Sequence, residues 1–118
     1  MYKLPKNFDG RFLLGRVLEF VTFSENNISL AFDQQVNITI ASSFSHQPGP
    51  QEKAISYKLP IWDSSLMLLL GHTIIEVKGL KDGTLVIVFD NGHVLSVYDD
   101  SECYESYSIF DGRNQMIV

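Results

Sequence analysis

The chain has 118 residues, of which 45% are hydrophobic and 19% charged, and a net charge of −5. That is enough for one hydrophobic core, too short for two ordinary domains, and too apolar for a disordered chain. The excess of acids disfavours the phosphate-neutralising attraction on which nucleic-acid binding rests.

From the N-terminus, Met1-Tyr2-Lys3-Leu4-Pro5 lacks the pattern of a secretion signal, so a cytoplasmic protein is expected. Period-two alternation then predicts strands over residues 16 to 23, 27 to 33 and 36 to 42, with Ile28, Leu30 and Phe32 on one face and Ser29, Ala31 and Asp33 on the other. Asn26-Asn27 and Gln34-Gln35 are read as the hairpin turns between them. The stretch Ser45 to Glu52 contains Pro48 and Pro50 and reads as a loop, the segment expected to be most mobile. Past Pro60, Asp63 is placed to cap a short helix over residues 63 to 70, ended by Gly71. The run Leu66 to Leu70 makes that helix apolar nearly all round, so it should be buried, with Trp62 packed beside it, and it is too short to cross a membrane.

Strands are expected again over 72 to 79, 84 to 90, 93 to 98, 104 to 110 and 115 to 118, with Asp82-Gly83, Asn91-Gly92 and Asp111-Gly112 as turns. In 84 to 90 both faces are apolar, because Val86 and Val88 oppose Leu85, Ile87 and Phe89; this strand should be central and covered on both sides. Leu13-Leu14-Gly15-Arg16 through Phe32-Asp33 aligns with Leu69-Leu70-Gly71-His72 through Phe89-Asp90 at an offset of 56, then 57, and Val36, Ile38, Ile40 align with His93, Leu95, Val97. The fold class that follows is mainly β: a single domain over 1–118 in which two duplicated antiparallel three-stranded meanders, about 11–42 and 67–98, form a sandwich or partly open barrel with one short helix.

Chemistry-bearing motifs are few. The chain has no G-x-S-x-G, no phosphate-binding G-x-x-x-x-G-K-[ST] and no H-E-x-x-H, and no catalytic residue is assigned. His46, His72 and His93 are far apart and read as surface or strand-start residues; no metal site and no cofactor are expected. Asp99-Asp100-Ser101-Glu102 lacks the glycine and the downstream glutamate of a calcium loop. Cys103, alone and among acids, is an inert thiol that makes no disulfide.

Charge is unevenly spread, +1 over residues 1 to 59 and −6 over 60 to 118, with no Lys or Arg from Asp99 through Asp111. Tyr98-Asp99-Asp100-Ser101-Glu102-Cys103-Tyr104-Glu105-Ser106-Tyr107 interleaves tyrosines with acids. Stiff aromatic contact area beside steering carboxylates suits a basic protein partner. Tyr98, Asp99, Asp100, Glu102, Tyr104, Glu105 and Tyr107 are the candidate partner-binding residues.

Leu69-Leu70-Gly71, Asp82-Gly83-Thr84-Leu85, Phe89-Asp90-Asn91-Gly92 and Tyr104-Glu105-Ser106-Tyr107 together resemble a family of small uncharacterised bacterial β proteins with the order L-L-G, D-G-x-L, F-x-x-G, Y-E-[SA]-[WY]. The chain departs from it at Tyr107, where tryptophan is frequent, and the family defines no binding residue to carry over. Its members often lie beside polymorphic or contact-dependent toxin genes as immunity proteins. The resemblance therefore implies a non-catalytic domain that occludes the active site of a basic toxin such as a nuclease domain. The alternative is a small-ligand-binding or regulatory β domain with its ligand between the sheet and the Trp62 to Leu70 helix.

Overall fold

The computed structural model describes residues 2–61, 63–101 and 105–118. Ten strands form two five-stranded antiparallel sheets packed as an open sandwich. The strands are β1 (Leu18–Phe23), β2 (Ile28–Phe32), β3 (Asn37–Ile40), β4 (Phe44–Gln47), β5 (Ile55–Tyr57), β6 (Ile74–Gly79), β7 (Leu85–Phe89), β8 (Val94–Val97), β9 (Tyr107–Phe110) and β10 (Gln115–Ile117). The first sheet runs β1-β2-β3-β9-β10 and the second β5-β4-β8-β7-β6. Each meander, β1-β2-β3 or β6-β7-β8, is thus completed by a hairpin from the other half of the chain.

Alternation dictates what lies between the sheets. Leu30, Ile38 and Ile109 are cross-strand neighbours on the inner face of the first sheet, and Ile87 and Leu95 on that of the second; all are fully or almost fully buried. Val86 and Val88, on the outer face of β7, are only part-buried. A two-layer sandwich has nothing to cover them, and β7 has β8, not itself, at the middle of its sheet.

The two halves are related by a pseudo-two-fold axis. The offset of 56 maps β1 on β6, and that of 57 maps β2 on β7 and β3 on β8. The pairing of β3 with β9 (Ile40↔Tyr107, Ile38↔Ile109) repeats in the pairing of β8 with β4 (Val97↔Phe44, Leu95↔His46). At the corner where β1 and β6 begin, Val17 and Thr73 form an antiparallel bridge. Around it the hydrogen bonds come in symmetric pairs: Gly15 N–H to Ile74 O and Gly71 N–H to Leu18 O, both 2.8 Å. Arg16 pairs with Asp33 at 3.3 Å, and its mate His72 with Asp90 at 2.7 Å. Gly15 and Gly71 sit at φ of +81° and +80°, which a side chain disfavours.

Two expectations need correction. The stretch Ser45 to Glu52 is not all loop, because Ser45, His46 and Gln47 belong to β4, hydrogen-bonded to β8 on one side and β5 on the other. The prolines fall in the connection beyond it. The short helix is one 3-10 turn, Leu66–Leu69, rather than a helix over 63 to 70. Only Leu66 and Leu69 face the core, a spacing of three that suits 3-10 geometry, while Met67, Leu68 and Leu70 are exposed. The Asp63 carboxylate does not cap the turn; the Ser64 hydroxyl accepts from the Leu66 N–H at 3.0 Å instead.

Candidate functional site

The acidic, tyrosine-bearing stretch leaves β8 and returns to β9, and the structure separates its members. Tyr98 is part-buried, its hydroxyl 2.8 Å from Ser45 Oγ. Asp99 turns inward, accepting from the Lys3 N–H at 2.8 Å and the Ser106 hydroxyl at 2.6 Å. Asp100 is exposed and accepts from the Ser43 N–H and the Ser43 hydroxyl. Glu105 is exposed. Glu102 and Tyr104 lie outside the described residues. Tyr107 is no surface residue: it is 1% exposed and its phenol donates to Gly83 O at 2.6 Å, burial pushing its pKa up. As an inner-face residue of β9 opposite Ile40, it belongs to the core and is withdrawn from the partner-binding set.

Beside Asp100 the surface continues along the segment that follows β5. A shallow concavity of about 220 Å³ is lined by Ser42, Ser43, Lys58, Leu59, Asp100 and Ser101, among others. A second, of about 320 Å³, is lined by Phe23, Ile61, Asp63, Ser64 and Met67. The turn carrying Met67, Leu68 and Leu70 lies against β1, whose Phe20 and Phe23 are also exposed. The turn and the inner face of β1 thus expose Met67, Leu68, Leu70 and Phe23 beside Asp63, whereas Phe20, opposite Ala31 on the outer face, lines a separate concavity with Glu19. The pseudo-symmetric flank, where the turn Arg11–Leu13 lies against β6, has Arg11 for Met67, Glu76 for Phe20 and Gly79 for Phe23. Its concavity is lined by Lys6 and Lys81 beside Leu4, Pro5, Phe8 and Leu80. That flank also exposes Leu14 and Ile75, so the contrast is confined to Arg11 for Met67, Glu76 for Phe20 and Gly79 for Phe23, and these three apolar residues are not a requirement of architecture.

A third feature was invisible by spacing. His46, fully buried on β4, places Nε2 2.8 Å from Nδ1 of His93 and Nδ1 2.6 Å from the Ser65 hydroxyl. Ser65 Oγ lies 3.1 Å from the Tyr57 hydroxyl, which also accepts from the Ser65 N–H at 3.2 Å. Burial, with the neighbouring His93 second, pushes the His46 pKa down from its usual value near 6.5 to about 4. Burial and then His72 lower that of His93. Ser65–His46–His93 has the connectivity of a nucleophile, base and orienter, but a base at about 4 is poorly matched to proton abstraction at neutral pH, and the Ser65 oxygen is already engaged by Tyr57. Among the described residues no group of three or more His, Cys, Asp and Glu side chains is placed to hold a metal ion.

One signal for this junction did exist. The repeat aligns His93 with the buried Val36, which marks it as an inward-facing residue at the start of a strand; it stands just before β8 and is part-buried there. His46 had no such marker, because β4 was hidden in the proline-bearing stretch.

Residues 11–118 match the model of a family described as a family of unknown function, DUF6188. No curated protein and no solved structure matches the chain.

Proposed function

Since the chain belongs to DUF6188, whose function is itself unknown, we propose from its surface that it is a non-catalytic protein-binding domain acting as an immunity protein. It neutralises a basic protein toxin, a nuclease domain being one such partner, by occluding the active site. The observation that carries this reading is the apolar groove of Phe23, Ile61 and Met67 with the exposed Asp63 in its lining; the exposed Asp100 lines a separate concavity with Lys58 and Leu59. Apolar anchors ringed by charge are what a hot spot for a basic partner uses. The net charge of −5 adds long-range steering. Glu105, exposed ahead of β9, stays in the partner-binding set, as do Glu102 and Tyr104 on the strength of the sequence alone. Asp99 and Tyr98 serve instead to hold the loop through their internal hydrogen bonds.

The test is co-expression with the product of the neighbouring gene, followed by binding across an ionic-strength series. Association should be fast and salt-sensitive, and Asp100→Lys should slow it by roughly tenfold at low salt, at a cost in stability of about 1 kcal/mol because the carboxylate also accepts from the Ser43 N–H and hydroxyl. An affinity indifferent to both salt and the substitution would remove this surface from consideration. The groove of about 320 Å³ also has the size of a small ligand pocket. Binding of a small molecule there, with no protein partner captured, would favour the ligand-binding alternative.

A further inference from the structure

The His46–His93 junction stands where the other half of the molecule is apolar. By the register of the strands, His46 corresponds to Ile109, His93 to Val36 and Tyr57 to Val118, all three of the latter buried. The same architecture therefore closes with apolar residues at these three positions, and the buried polar chain in the second sheet must be explained by something other than the fold.

Its connections say what it holds. Tyr57 ends β5, His46 lies on β4, His93 leads into β8, and Ser65 is the residue from which the Leu66–Leu69 turn starts. Ser65 has no capping bond to its own turn, because its hydroxyl is engaged by His46 and Tyr57. The junction thus pins the start of the turn that carries Met67 to the second sheet.

The contact between His46 Nε2 and His93 Nδ1 needs one N–H and one lone pair. Protonating both rings would set two N–H groups of like charge face to face, and the contact would break. The groups facing His46 are the Ser65 hydroxyl from the turn, the His93 imidazole from the β7–β8 connection and, beyond Ser65, the Tyr57 hydroxyl from β5. Behind His93 stands His72, itself paired with Asp90. The one acid in this set is Asp90, and it is spent on His72, so no carboxylate among these groups is placed to welcome a proton on His46.

We infer that the His46–His93 pair is an acid-sensitive latch: neutral, it fixes the Leu66–Leu69 turn and the groove beside it; protonated, it releases them. That the release frees a bound partner rests on the protein-binding reading above; the latch itself does not. A histidine that titrates near 6.5 when released and at about 4 when latched raises the open population roughly thirtyfold at pH 5.

The experiment compares amide-exchange protection at pH 7.5 and pH 5 in the intact chain and in the double variant His46→Ile, His93→Val, which copies the residues of the other half. In the native chain, protection across residues 65 to 69 and β4 should fall at least tenfold on acidification while β2 and β7 hold. In the variant it should not change. An equal fall in both proteins, or none in the native chain, overturns the latch. Imidazole titrations of the native chain by NMR decide the matter if the variant does not fold: His46 and His93 must titrate below the ordinary histidine value, and their resonances must move together with those of Ser65 and Met67. Independent titrations overturn it. With a partner in hand, release at pH 5 from the native chain but not from the variant supports gating of the groove. A partner that binds while ignoring pH removes the gating and leaves the exchange result to judge the latch. Failure to bind anything strikes the protein-binding reading alone.

Discussion

At the scale of single residues, the inner and outer faces of each strand differ sharply in what a substitution removes. Ile87 is fully buried between Val77 and Leu95, whereas Phe20 on the outer face of β1 is 64% exposed. Ile87→Ala should therefore cost about 2–5 kcal/mol, from lost transfer energy plus the cavity left behind, and Phe20→Ala less than about 0.5 kcal/mol. Urea unfolding of both variants measures this; similar losses would mean the faces are misassigned. A substitution at Phe20 that leaves stability intact but weakens partner binding would further locate the contact surface. Much of this scale was legible beforehand. Leu30, Phe32, Ile38, Leu85, Ile87, Phe89 and Leu95 follow from alternation alone and all are buried. His46 was not legible, because burial of a histidine depends on partners, here Ser65 and His93, that lie 19 and 47 residues away.

At the scale of elements, the corner glycines make the most specific prediction. Gly15 and Gly71 hold equivalent positive-φ positions with no atom within 4 Å of where a Cβ would lie, so only the backbone opposes a side chain there. Gly15→Ala and Gly71→Ala should each cost about 1 kcal/mol, and by similar amounts, because the left-handed region disfavours any L residue to a similar degree. Paired thermal melts check it, and a large inequality would show that the two corners are not equivalent. The two strands that escaped prediction, β4 and β5, are short and joined across Pro48 and Pro50. Their pairing with β8 and with each other is a long-range fact with little local pattern behind it. The overestimated helix has a local cause. Five apolar residues cannot nucleate an α-helix unaided, and packing selected only Leu66 and Leu69.

At the scale of the molecule, each sheet contains strands from both halves of the chain, since β9 and β10 complete the first and β4 and β5 the second. Neither half then has a closed core of its own. Residues 1–61 and 62–118, expressed as separate fragments, should each lack cooperative unfolding, whereas the intact chain should unfold in one transition with coincident near- and far-ultraviolet dichroism. A fragment that melts cooperatively alone would mean that the exchanged hairpins are not needed. Sequence alignment of the halves located β1, β2 and β3 against β6, β7 and β8. It could not reveal the exchange, because the hairpins share only an aromatic residue followed by serine: Phe44-Ser45-His46-Gln47 is equivalent to Tyr107-Ser108-Ile109-Phe110.

The pseudo-two-fold axis carries an evolutionary corollary. Two identical copies of such a unit, exchanging hairpins as separate chains, would have to present the same residues at both ends: histidines twice or isoleucines twice, an apolar flank twice or a charged one twice. Fused into a single gene, each copy is free to accumulate its own substitutions while the other keeps the shared core closed. The imidazole pair opposite Ile109 and Val36, and the phenylalanine opposite Gly79, are what such divergence leaves behind. A single chain with two unlike ends needs only one of them to carry a task.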